Sequence, residues 1–281
     1  MSSYVYNASA LGAGGVLTSG NGRTVIPSLA SVALSPTGGE GFSTADDYNA
    51  NGIAFSHAES RVVGAEVGSG IFTTYSEVFI TNFTAFDRFS IPRLRIAMMS
   101  AQVTSTRNLN LEESHFEVRT TFHGVNVDGV DVEPVLDIEL CKAKTFGEVV
   151  QRISGDISTF AELSNVSEEK LRKVLSEPNS PNPLTGTLVR DYREQPVGKL
   201  ERRGAALIVP HVGVAHLAEF IFKPGRRRVN LLRLDINDSD RQFAFSANAA
   251  PSTEAADRRP RGGGGFLAVG SVEGNGSPPI P

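Results

Sequence analysis

The chain has 281 residues, with 27 Lys and Arg against 31 Asp and Glu, five histidines and a single cysteine. That length can bury one large core or two small ones. The lone Cys141 excludes an intrachain disulfide framework, and no stretch approaches the ~20 uninterrupted apolar residues of a membrane span. The start, MSSYVYNASALGAGG, has neither a basic n-region nor an apolar h-region, so no Sec signal peptide is expected. The expected compartment is the cytoplasm, or the exterior by a route without an N-terminal signal. Charge is unevenly spread. Residues 1–150 hold 9 Lys and Arg against 16 Asp and Glu, whereas residues 186–233 hold 10 against 4. Such a split bears on association rather than on fold.

Residues 3–36 read as short strands with Gly-rich turns, Gly20-Asn21-Gly22 marking a hairpin. Residues 37–52 are polar and turn-rich and read as a surface loop. From Ile53 to Arg107 come three long alternating runs rich in Ser and Thr, which suit half-exposed strands. The clearest hairpin runs from His115 to Leu140 around Asp128-Gly129. A three-residue loop would place Val118 opposite Ile138 and Phe122 opposite Pro134 on an apolar face. Arg119 and His123 would then face Asp137 and Glu133. Asp131, Glu133, Asp137 and Glu139 would share the other face, and a solvated row explains them better than a calcium or glycosidase site.

The texture changes at Thr145. Thr145-Phe146-Gly147-Glu148 is a capping box, followed by apolar residues at helical spacing up to Gly155. Thr159 to Glu162 repeats the box, and Ser167 can cap EEKLRKVLSE, ended by Asn179 to Pro183. This predicts a helical insert over 145–178. The β pattern then returns with TGTLVRDYRE, RGAALIVP and a hairpin turning at Pro224-Gly225. There Phe222 is expected opposite Val229, with His216 a hydrogen-bonded histidine on the apolar face. After Phe245 periodicity is lost. Residues 247–281 hold 7 Gly and 5 Pro and read as a flexible tail. Within it Gly265 to Gly270 is an isolated apolar run, whose Phe266, Leu267 and Val269 could dock on an open sheet edge.

The run VPHVGVAHLAEFIFKPGRRRVNLLRLDI resembles the C-terminal part of a group of uncharacterised bacterial β-rich proteins, and the YVYNASALGAGG start is similar to theirs too. What the resemblance implies is structural: a β-rich body, with no established activity and no site residue.

The expected fold is therefore all-β. It is an antiparallel sandwich formed by one domain over 1–246, with the insert at 145–178 and the tail beyond; a closed barrel or a β-solenoid is the alternative. No motif ties residue types to a reaction: there is no G-x-S-x-G, Walker loop, dinucleotide fingerprint or H-E-x-x-H. Cys141, at the end of a predicted strand, reads as a buried, inert thiol. No cofactor and no metal site is expected. The best binding candidate is the basic set Arg202, Arg203, Arg226, Arg227 and Arg228, since guanidinium groups capture anions and carboxylates bidentately. Nucleic acid is a poor fit, because the chain is acidic and aromatics do not interleave with these arginines. The expected function is a non-enzymatic structural or self-assembling protein whose partner is itself, as a homo-oligomer or filament. The alternatives are a binding module for carbohydrate or an anionic ligand at the arginine-rich turn, and an enzyme whose site is assembled from scattered residues.

Overall fold

The computed structural model describes residues 4–19, 22–103, 114–176, 182–237 and 264–275. In chain order the strands before the insert are β1 (Asn7–Ser19), β2 (Gly22–Ala33), β3 (Gly39–Ala50), β4 (Ile53–Gly68), β5 (Ile71–Ala85), β6 (Phe89–Val103), β7 (Ser114–His123), β8 (Val125–Val127) and β9 (Val130–Leu136). The helices are α1 (Ile138–Lys142), α2 (Phe146–Ser154), α3 (Ile157–Ser164) and α4 (Glu168–Ser176). Then follow β10 (Leu184–Thr187), β11 (Val189–Gln195), β12 (Arg202–Arg203), β13 (Ala206–Val209), β14 (Gly213–Lys223), β15 (Arg226–Asn237) and β16 (Gly264–Asn275).

The strands form two antiparallel sheets packed as a sandwich. The composite sheet runs β12-β13-β14-β15-β16-β1-β2, with β10 beside the far half of β14. The meander sheet runs β11-β9-β8-β6-β5-β4-β3, with β7 beside β6. Strand β1 stacks over β4 and β5, β16 over β5 and β6, and β2 over β3 and β4. Ala8, Ala10, Ala13 and Ala58 lie in this interface, all buried. A Cβ on Gly12 would sit 2.9 Å from that of Ala30, so small side chains set the close approach of the layers. Strands β2 and β3 remain edges, so neither sheet closes into a barrel.

One device recurs in both sheets. A cross-strand row interrupts the ladder without changing its register, and along it positive φ occurs on every second strand. In the composite sheet the row is Ala30, Gly12, Gly270, Leu231 and Ala218, with φ of 47° at Ala30, 64° at Gly270 and 48° at Ala218. In the meander sheet it is Asp47, Ser56, Asn82, Pro92 and Gly124, with φ of 49°, 54° and 69° at Asp47, Asn82 and Gly124. A residue in the left-handed region reverses the pleat, so the alternation of faces shifts by one. The burial pattern shows it: β5 buries Val78 and Ile80, then Phe83 and Ala85. Asn, Asp and Gly tolerate this conformation, while Ala30 and Ala218 carry strain.

Several expectations need correcting. Residues 39–50 are not a loop but edge strand β3, tied across by His57 Nδ1 to Asp46 Oδ1 at 2.5 Å and Arg61 Nε to Glu40 Oε1 at 2.7 Å. The 115–140 hairpin is shorter than expected. Asp128 (φ 50°) and Gly129 (φ 85°) form a two-residue turn that pairs Val127 with Val130 and Val125 with Val132, because two left-handed residues match the strand twist. Val118 and Phe122 instead face Met98 and Leu94 on β6. Arg119 pairs with Glu117, while Ile138 is helical. The acidic row is broken up: Asp137 caps α1 and holds Arg152 at 2.9 Å, and Glu139 belongs to that helix. The same helix, not a strand, carries Cys141, which is buried. Burial, then the charge of Asp137, pushes its thiol up to about 12.

The helical insert begins earlier than 145, at Ile138. Thr145 does cap α2, accepting from the Glu148 amide at 3.2 Å, and Ser167 accepts from the Lys170 amide at 3.3 Å ahead of α4. The second box does not cap, since Asp156 is the N-cap of α3 and Thr159 lies inside the helix. The break from Asn179 to Ser180, and Pro181, lies outside the described residues. The expected flexible tail also needs revision. Residues 264–275 are β16, paired on both edges, with β1 and with β15. The rest of 247–281 lies outside the described residues.

Candidate functional site

The five predicted arginines do not form one surface. At the Pro224-Gly225 turn Lys223 pairs with Arg226 and Phe222 with Arg227, two positions away from the expected register. An even shift preserves faces, so Phe220 and Val229 stay inward, but Arg227 now joins them. Arg227 is 1% exposed, donates to the carbonyls of Ala143 (2.6 Å) and Lys144 (3.0 Å), and lies over the rings of Phe116 and Phe222. It ties the start of the insert to the composite sheet. Arg226 and Arg228 flank Glu273 on β16, with Arg226 Nε donating to Oε1 at 2.6 Å and Arg228 Nε lying 3.5 Å from Oε2. Arg202 reaches Asp191 at 3.0 Å. Arg203 is exposed and lies in the cross-strand row of Ala206, His216 and Arg233. The row of Arg203 and that of Arg226 meet β14 seven residues apart, about 23 Å along the strand. In the tail run, Leu267 and Val269 are fully buried inside the sheet, and Phe266 is 52% exposed on the opposite face.

The structure brings together a different group. Strands β10 and β13 each pair with one half of the same edge of β14, leaving a gap at Leu217–Ala218. Thr187 Oγ1 donates to the Leu217 carbonyl and the Leu188 amide to that of Ala218. The C-terminal end of α3 fills the gap, with the Ala205 amide donating to the Leu163 carbonyl at 2.9 Å. A groove of about 540 Å³ opens here over the outer face of β14 and β15.

On this face stand His216 and Glu219 of β14 with Asn230, Arg233 and Asp235 of β15. Residues three apart on a straight strand point to opposite sides. The pleat reversal at Ala218 and Leu231 is what puts His216 with Glu219, and Asn230 with Arg233, on one side. The two carboxylates enclose Arg233: its Nε and Nη2 donate to Glu219 at 2.7 and 2.9 Å, and its Nη1 donates to Asp235. His216 Nε2 lies 3.2 Å from Asp235 and Nδ1 3.7 Å from Glu219. Burial opposes the Arg233 cation, but Glu219 and Asp235 outweigh it and hold the guanidinium above its ordinary value. Burial likewise opposes the Asp235 carboxylate, yet the hydrogen bond from His216 and the charge of Arg233 keep it below the usual range. These four side chains satisfy one another. Two groups on the groove do not: Ser164 Oγ is shielded from solvent without a hydrogen-bond partner, and no ion pair holds Arg203 among the described residues.

Sequence reasoning placed His216 on the apolar face with Phe220. The histidine lies on the other face, 3.2 Å from Asp235, and Glu219, Arg233 and Asp235 were not connected to it. The available signal was the broken alternation in AHLAEF and VNLLRL, where apolar residues change parity midway. No group of three or more His, Cys, Asp or Glu suited to a metal ion occurs among the described residues. No helix there is long and apolar enough to cross a membrane.

A family profile described as a domain of unknown function (DUF8256) matches residues 4–223. The chain belongs to this family. The matched region ends with β14, so β15 and β16 of the composite sheet, including Arg233 and Asp235, lie beyond it. Comparisons with curated proteins and with solved structures found no match.

Proposed function

We propose that this DUF8256 protein is a non-enzymatic structural component that associates with copies of itself through the broad faces of its sandwich. The observation that carries this is where the charge split falls in three dimensions. The strands of the composite sheet hold eight Lys and Arg against three Asp and Glu. Those of the meander sheet hold six against eleven. Opposite signs on opposite layers favour a heterologous contact, the composite face of one copy on the meander face of the next. The edges are poor growth points. Pro27 on β2 lacks a donor, and β3 carries Glu40, Asp46 and Asp47, features that blunt edge pairing.

Light scattering of the full chain at low and high salt tests this. Association at low ionic strength should fall away at about 0.5 M salt, where the screening length is well under 10 Å. The double variant Arg23→Glu, Lys223→Glu should weaken it at low salt. Neither residue has an ion-pair partner among the described residues, so the fold is not at stake. A monomer at all salt concentrations, or an oligomer indifferent to both changes, overturns the proposal. Arg227 is unsuitable for such a reversal because it is buried.

A further inference from the structure

Independently of self-association, we propose that the groove beside α3 binds a small carboxylated polyol of the hexuronic-acid type. The cross-strand row Arg203, Ala206, His216, Arg233 supplies the frame. Neighbouring strands lie about 4.8 Å apart, so Arg203 stands roughly 10 Å from His216, with only the methyl of Ala206 between them. That leaves a trough bounded by a guanidinium on one side and an imidazole on the other. Its volume of about 540 Å³ falls within the range of small-ligand sites.

The ligand class follows from which groups are already committed. Arg233 is neutralised by Glu219 and Asp235, and these carboxylates would repel a doubly charged anion such as phosphate. Arg203 is the remaining cation and can match one negative charge in the fork geometry a carboxylate prefers. Asn230 adds an amide, and the committed carboxylates keep lone pairs for further hydroxyl donors. Ile208, Val214 and Ile221 give apolar patches for the C–H faces of a ring. One charge, several hydroxyls and a short apolar face describe an acidic sugar. The network that orders the wall needs no ligand to hold it, so binding incurs little side-chain ordering cost.

The test is calorimetric titration of the full chain with glucuronate, galacturonate and a short oligogalacturonate. Glucose and inorganic phosphate serve as comparators. At least one uronate should saturate the protein by about 10 mM, a concentration at which a site of millimolar Kd is nearly filled. If the monosaccharides suffice, the source is a free sugar acid; if the oligomer alone saturates, it is a polysaccharide end. Glucose and phosphate should bind at least about tenfold more weakly. Arg203→Glu should abolish uronate binding, and Asn230→Ala should weaken it several-fold. Arg203 is exposed and Asn230 stands part-exposed on the outer face of β15, so both variants should keep the native circular dichroism. Absence of saturable uronate binding, equal binding of phosphate or glucose, or unchanged binding by folded Arg203→Glu overturns the proposal.

Discussion

The two sheets are similar in size and opposite in construction. The meander sheet takes β3 to β6 in sequence order, each joined to the next by a tight turn such as Asn51-Gly52 or Ser69-Gly70. The composite sheet draws β1 and β2 from one end of the described chain, β10 and β12 to β15 from the stretch after the helical insert, and β16 from its other end. Its most central pairings, β16 with β1 and β16 with β15, join segments that sequence alone leaves apart. A meander closes short loops and specifies itself locally, whereas the composite sheet must await a late strand to connect its two halves.

The largest test of that contrast is removal of β16. Truncation after Asn248 should abolish cooperative unfolding, because β1-β2 loses its only in-sheet connection to β15 among the described strands. The single change Leu267→Asp, which buries a carboxylate at a fully enclosed position, should cost about 4 kcal/mol or more in urea denaturation. An unchanged transition in either variant would show that the composite sheet stands without β16.

Next in size is the tie between that sheet and the insert. Arg227→Met strands the carbonyl of Ala143, takes one of two donors from that of Lys144, which keeps the Phe116 amide, and should lower stability by about 2–4 kcal/mol. Arg228→Met, on the exposed face, should stay within about 1 kcal/mol. Equal effects would mean that the shift of register at Pro224-Gly225 does not place Arg227 inside.

The pleat-reversing rows give a smaller and more discriminating effect. Gly270→Ala puts a Cβ 2.7 Å from Leu231 Cδ1 at a φ of 64° and should cost about 1–3 kcal/mol. Ala30→Gly in the same row relieves a left-handed alanine and should raise stability by up to about 1 kcal/mol. If both substitutions destabilise, the positive φ at Ala30 is not where the strain resides.

The smallest effect belongs to the meander edge. The hydrogen bond from His57 to Asp46 raises the imidazole above its ordinary value, with burial opposing and Glu59 assisting. The folded value therefore exceeds the unfolded one. The stabilisation is full below the unfolded value of about 6.5 and is lost as pH rises through the folded one. An NMR titration should place the His57 midpoint above 6.5, and Asp46→Asn should return it toward that value. A midpoint at or below the ordinary value would remove His57 from any account of how β3 is held.

Much of the architecture was determined locally. The alternating Ser/Thr-rich runs of 53–103, Gly-containing turns and the Thr145 and Ser167 caps specify strands, hairpins and helices from neighbours a few residues apart, and their places read correctly, although the registers at Asp128-Gly129 and Pro224-Gly225 did not. The apolar run of 265–270 was visible as an anomaly, but its place between β15 and β1 was not, because partner choice across so many residues depends on which edges the rest of the sheet leaves open. The candidate site was hidden for a related reason. A strict period of two puts His216 and Glu219 on opposite faces, and only a row of reversed pleats running across five strands brings them together. An alanine can take positive φ at Ala218 because the neighbouring strands share the distortion. That condition exists in the assembled sheet and in no single stretch of chain.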